Sequence, residues 1–170
     1  IQNSEFKLFF ICSLIFHFGW QMGWPLFNIY MLQTLNASEG WLSAVSIASA
    51  LSSILTVTYW GKFAQKHGNT IAIIIATFGM SITPFLYVVS ESLAMLVVFN
   101  VLIGISITGT TLVLFNMLLD VTPSSNRTTI ISIYNTLIAV SATIAPIIGV
   151  AIKDAKGLSF ALITVGLLRL

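Results

Sequence analysis

The fold class this sequence predicts is an all-α integral membrane protein, a bundle of six transmembrane helices with the sixth truncated. Three observations predict it. Charged side chains make up 7% of the 170 residues and hydrophobic ones 57%, whereas an ordinary globular chain carries about 25% charged residues. The mean hydropathy is +1.00. The apolar residues also gather into runs of membrane-spanning length, parted by short connections rich in charges and turn formers. Helix is the only state open to such runs, because a strand edge in lipid leaves backbone groups unsatisfied. The run Ile71–Ala76 lacks the polar–apolar alternation of a barrel strand.

Twelve charges cannot coat a water-soluble domain of this size, which excludes a soluble enzyme and a disordered segment. The net charge of +2 comes from scattered residues rather than a basic patch, so nucleic acid is not a partner. The single cysteine, Cys12, excludes a disulfide framework and a thiolate metal cluster. No cofactor motif is present. Beginning at Ile1 and stopping inside an apolar run, the chain reads as a fragment of something longer. The first apolar run is too long for a signal core and has no small-residue cleavage site.

The six segments are expected at about 6–32, 41–60, 71–90, 93–119, 128–152 and 158–170. The first five meet the roughly 20-residue requirement for crossing the hydrocarbon, and the sixth does not. In segment one, His17, Gln21, Trp24 and Asn28 fall within a stripe about 60° wide at helical spacing. Lipid-facing surfaces are apolar, so this stripe either lines a cavity or hydrogen-bonds a neighbouring helix. Gly19 and Gly23 form a GxxxG on roughly the opposite face, suited to close helix packing. Trp20, Trp24 and Tyr30 suit stacking on a flat or sugar-like ligand or an interfacial aromatic belt. Segment two carries a small-residue seam at Ser46, Ser49 and Ser53. In segment four, Asn100, Gly104 and Thr111 share a face, either polar lining or room for tight packing. The segment-five stripe Thr128, Ser132, Asn135, Ala139, Ala142 and Pro146 reads mainly as a helix–helix seam. Pro25, Pro84 and Pro146 can kink their helices.

Short connections imply an up-and-down bundle in which sequential helices touch. Lys7, Lys62, Lys66, Arg127 and Arg169 fall on one side and Lys153 and Lys156 on the other, five against two. The positive-inside rule then puts both ends in the cytoplasm. The carboxylates Glu5, Glu39, Glu91, Asp120 and Asp154 all lie at segment ends, which leaves His17 as the one titratable group expected in mid-membrane. It reads either as a proton sensor or relay or as a neutral histidine bonded to a neighbour. No HExxH, GxSxG or Walker loop occurs, and nothing near His17 activates a nucleophile, so no enzyme is predicted.

The run Trp60-Gly61-Lys62-Phe63-Ala64-Gln65-Lys66-His67-Gly68-Asn69, between segments two and three, resembles the G-x-L-a-D-R-x-G-R loop of major facilitator superfamily transporters. Gly61, Phe63, Lys66 and Gly68 match in type, while Gln65 replaces the Asp and Asn69 the second basic residue. Pro123 and Arg127 resemble the next cytoplasmic loop of that family, and Ala145–Gly149 a run of its fifth helix. The resemblance spans essentially the whole chain. It implies one six-helix half of a twelve-helix transporter, and the degraded loop leans towards the C-terminal half.

By that resemblance, His17, Gln21, Trp24, Asn28, Asn100 and Thr111 are candidate substrate contacts. Gly61, Lys66, Gly68, Asp120 and Arg127 form a candidate cytoplasmic latch, with Lys66 as the partner of Asp120. The implied function is alternating-access transport of a small solute, with proton coupling as the natural drive, in the plasma membrane. The partners are the solute, the lipid bilayer and the other six-helix half. The alternative is a membrane receptor or scaffold that binds without translocating. The isolated half is not expected to transport.

Overall fold

The computed structural model describes residues 4–170. Helix α1 runs Ser4–Ile29 and widens into a π-helical turn at Tyr30–Thr34. Helix α2 spans Glu39–His67, α3 Asn69–Val88 and α4 Leu93–Val121. A short 3-10 turn at Ser124–Asn126 leads into α5, Arg127–Lys156, and α6 spans Leu158–Leu168. Five of the helices are long and apolar enough to cross a membrane.

Polar residues at the end of an apolar run mark where a helix leaves hydrocarbon, and the helix itself continues. The expected loop at 61–70 is helical through His67, so Gly61, Lys62 and Lys66 lie on the last two turns of α2. Ala, Gln and Lys there are good helix formers, and nothing in their chemistry ends the helix before Gly68. Helix α5 likewise continues past 152 to Lys156.

Both reversals are made by one glycine. Gly68 (φ 86°, ψ 155°) separates α2 from α3, and Gly157 (φ 91°, ψ 161°) separates α5 from α6. Each N–H bonds back into the helix just ended, to Ala64 O and Lys153 O, both at 2.8 Å. A side chain at such a φ is strained. Gly68→Ala and Gly157→Ala are each expected to cost about 1 kcal/mol. The readout is a lower melting temperature of the full-length protein in detergent, and unchanged melting would mean that the turn relaxes.

The helices do not pair in sequence order. Helix α1 packs chiefly on α5 and α2 on α4, while α3 lies against α4 and α6, and α6 also touches α1. The expected contact of sequential neighbours therefore fails for α1 with α2 and for α4 with α5. A short connection holds two helix ends together, but the side chains at the crossings set how far the helices splay. The pairing is symmetric. Exchanging the first three helices for the last three turns α1–α5 into α4–α2, and α1–α6 into α4–α3, the signature of a threefold helical unit used twice.

Small residues set the close crossings. Ser53 Oγ donates to Gly104 O at 2.9 Å and Trp60 Nε1 to Ile105 O at 2.8 Å, tying α2 to α4. Gly149 of α5 lies against the Met22 carbonyl of α1. The GxxxG face of α1 receives α6, with Leu168 and Arg169 over Gly19 and Val165 over Gly23. The α5 stripe expected as a seam is instead largely on the outside, with Thr128, Ser132, Asn135 and Ala139 exposed. Helix α5 turns Ile130, Tyr134, Ala145 and Gly149 inward, a face with more apolar area to bury. The main core joins Met22, Leu26, Leu96, Ile103, Leu162 and Val165. Large apolar side chains such as Leu51, Ile54 and Leu55 of α2 point outward, as suits a surface solvated by lipid.

Candidate functional site

Between the α2–α4 pair and the α1–α5 pair the bundle holds two cavities, arranged along α1. The first, of about 260 Å³, is bordered by residues of α1, α2, α3 and α4 and by Arg169, including Trp24, Asn28, Ser49, Tyr87 and Asn100. The second, of about 480 Å³, lies among α1, α4 and α5 and includes His17, Gln21, Thr111, Tyr134 and Asn135. Trp20 and Trp24 border both. The six expected substrate contacts thus divide: Asn28 and Asn100 face one cavity, His17, Gln21 and Thr111 the other, with Trp24 between them.

The polar groups are held in defined states. His17 Nδ1 lies 2.8 Å from Ser13 O. A carbonyl only accepts, so Nδ1 carries the proton and a neutral ring keeps Nε2 as an acceptor. The ring packs near Trp20 and edge-on to Tyr134, with centroids 5.7 and 6.0 Å away. The Tyr134 hydroxyl is buried beside this cavity, where no geometric hydrogen bond satisfies it. In the first cavity Asn100 Nδ2 donates to Tyr87 Oη at 3.2 Å and to Leu96 O at 2.8 Å. Tyr30 borders neither cavity. It is buried and donates to Ser90 O at 2.9 Å, pinning the end of α1 to the end of α3.

Arg169 was counted at a membrane surface, and the structure places it inside. It is 4% exposed. It stands twelve residues beyond Gly157, about 18 Å of helix at 1.5 Å per residue, near the midplane of a layer about 30 Å thick. Nε donates to Gly19 O at 3.2 Å, Nη2 to Trp20 O at 3.1 Å and Nη1 to Met80 O at 3.1 Å. The Met80 carbonyl is available because Pro84, four residues on, has no N–H to give it. The Ser81 hydroxyl donates to Arg169 O at 2.7 Å, and the guanidinium lies 5.5 Å from the Phe27 ring centre. His17 is therefore not the only ionisable group in mid-membrane, and the charge count on the first side falls to four against two. The signal was a charge twelve residues past Gly157 among leucines, at Leu167-Leu168-Arg169-Leu170.

The latch residues are arranged differently from the expectation. Asp120 Oδ2 accepts from Asn69 Nδ2 at 2.7 Å, joining α3 to α4, and not from Lys66. Lys66 is exposed on the α2 extension, and among the described residues the ion pair found is Lys153–Asp154 at 2.7 Å. With the chain turned at Gly68, Asn69 opens α3 beside the end of α4, whereas Lys66 ends one turn away on α2. Arg127 Nη2 donates to Leu119 O at 3.3 Å and covers the open carbonyl end of α4. No Cβ contact surrounds Gly61. Asp120→Ala is expected to cost about 0.5–1 kcal/mol, and Asn69→Ala a similar amount, without adding when combined. A double-mutant cycle by thermal melting checks this, and full additivity would mean that the contact carries no energy.

Comparison with curated protein sequences finds no match. A family model does match, that of the Major Facilitator Superfamily, over residues 9–169 of the 170. The helical bundle, its repeated threefold unit and this near-complete match make the chain a member of the major facilitator superfamily of membrane transporters.

Proposed function

We propose that the chain is one six-helix half of a twelve-helix secondary transporter, and that it moves a small solute by alternating access. The observation that carries this reading is the cleft between the α1–α5 and α2–α4 pairs. Its two cavities draw polar and aromatic side chains from five helices, as suits a solute site at the interface of two rocking bundles. His17, Gln21, Trp24, Asn28, Asn100 and Thr111 are the proposed solute contacts. The outer faces of α2 and α5, which flank the cleft and are mostly uncovered, are the proposed seat of the other half. Gln65 in place of an acid leans the assignment to the C-terminal half.

Lys7, Lys62, Lys66 and Arg127 against Lys153 and Lys156 support cytoplasmic ends, and the plasma membrane is the proposed location. All carboxylates among the described residues lie at helix ends, so a proton-coupling role within this half would fall to His17. Solute uptake, not chemical conversion, is the activity to measure.

In the full-length protein, cysteines placed at 21 and 28 should react with impermeant reagents from both sides of sealed vesicles. Reaction from one side only would favour a receptor or scaffold. Uptake into vesicles holding this fragment alone is expected to be absent, and robust uptake would sink the half-transporter reading. His17→Gln should flatten the pH dependence of uptake between about pH 5 and 8. An unchanged profile makes His17 structural.

A further inference from the structure

We propose that the transported solute is a monoanion with an aromatic body, of the aromatic carboxylate class, and that Arg169 is the group that holds its charge. The proposal rests on the transporter reading and narrows its substrate.

The first ground is an unbalanced charge. Arg169 is 4% exposed and near the midplane, and its three hydrogen-bond partners are neutral backbone carbonyls on α1 and α3. A guanidinium has five N–H donors, so two remain without a protein acceptor among the described residues. Among the described residues no carboxylate pairs with it: Glu39, Glu91, Asp120 and Asp154 lie at or near helix ends. Carbonyl dipoles and the Phe27 ring face ease the burial of a cation but leave its net charge in place. Had the role been only to join α1, α3 and α6 through the Met80 carbonyl, a neutral donor such as Gln would have served without burying a charge.

The second ground is the cavity on which that charge abuts. Arg169 borders the 260 Å³ chamber together with the rings of Trp20, Trp24, Phe27 and Tyr87. Cations in an aromatic-walled, low-dielectric chamber attract anions strongly and select against neutral look-alikes. A carboxylate matches the planar fork of a guanidinium, and the ring walls match a flat apolar body. Asn28 supplies a neutral polar group at the same chamber for a further substituent.

The test uses the full-length protein in nanodiscs of phosphatidylcholine, a lipid without net charge. The probes are benzoate, salicylate, phenylacetate and indole-3-acetate, each paired with its carboxamide of nearly the same shape. Binding is read from ligand-dependent melting temperature. At least one carboxylate should bind at least tenfold more tightly than its amide. Arg169→Lys should keep this preference with weaker binding, because a point charge replaces a fork, and Arg169→Gln should abolish it. Equal binding of acid and amide overturns the proposal. So does carboxylate binding that survives Arg169→Gln, and so does a panel in which no carboxylate binds. Should Arg169→Gln not fold, the acid–amide comparison in the unaltered protein decides alone. Counterflow of the bound acid then separates the two readings. Binding without flux removes the transporter reading and leaves the anion site. Flux of neutral amides without a preference for acids does the reverse.

Discussion

Arg169→Met in the full-length protein is expected to destabilise the fold by about 1–3 kcal/mol, the cost of leaving a buried acceptor without its donor. Three helices lose a shared donor at once, and the Met80 carbonyl is left buried with nothing to bond, since Pro84 cannot supply the N–H of an ordinary helix. That dependence makes a sharper test than the single variant. Pro84→Ala alone should change stability little, because the Met80 carbonyl already has its partner. In the Arg169→Met background the new N–H at position 84 should recover about 1 kcal/mol, the worth of an interhelical or backbone bond in this setting. Equal effects of Pro84→Ala in both backgrounds would show that Arg169 does not serve the carbonyl that the proline frees. Melting temperature in detergent, with the single and double variants side by side, is sufficient.

Gly104→Leu is expected to cost about 3 kcal/mol, starting from overpacking. A Cβ at this position would run into Ser52 Oγ and the backbone carbonyl of Ser49, and the backbone cannot give way as a flexible side chain would. Helix α2 must then move off α4, breaking the bonds from Ser53 to Gly104 and from Trp60 to Ile105 and lifting Trp60 from Gly109. Gly61→Ala is the matched control. It lies on α2, the other helix of the crossing, with nothing near its Cβ, so a helix-forming residue should stabilise there by about 0.5–1 kcal/mol. A Gly104→Leu protein that melts with the wild type would show that the α2–α4 crossing is looser than its geometry.

Some of this architecture was legible in the residues and some was not, for reasons that can be named. The membrane class followed from charge scarcity because hydrocarbon excludes ions, whatever the fold. The stripe His17, Gln21, Trp24 and Asn28 was legible because a helix has one period, and four polar residues on one face must meet something other than lipid. The 61–70 run was misread because Lys62, Lys66 and His67 report the water boundary, while the helix ends only where Gly68 reverses the chain. The α5 stripe does not face this bundle because both faces of that helix carry small residues, and periodicity cannot say which one looks inward. The division of the site into two cavities depends on the splay of α1 from α2, which no spacing in the sequence encodes. Arg169 was the costly oversight. Its neighbours in sequence are leucines, and depth along the segment, not proximity to a charge cluster, was the quantity that located it.

The single-glycine turns carry a consequence for biogenesis. With one residue between α2 and α3, and one between α5 and α6, neither partner has slack to wait in the translocation channel while the other settles in lipid. Each couple should leave the ribosome-bound machinery as one hairpin, so α2 and α5, the helices with the most uncovered surface, would be carried into the bilayer by their better-buried companions. A flexible spacer inserted beside Gly68 or Gly157 would uncouple that delivery and show up as glycosylation reporters on the wrong side of the membrane, before any loss of transport.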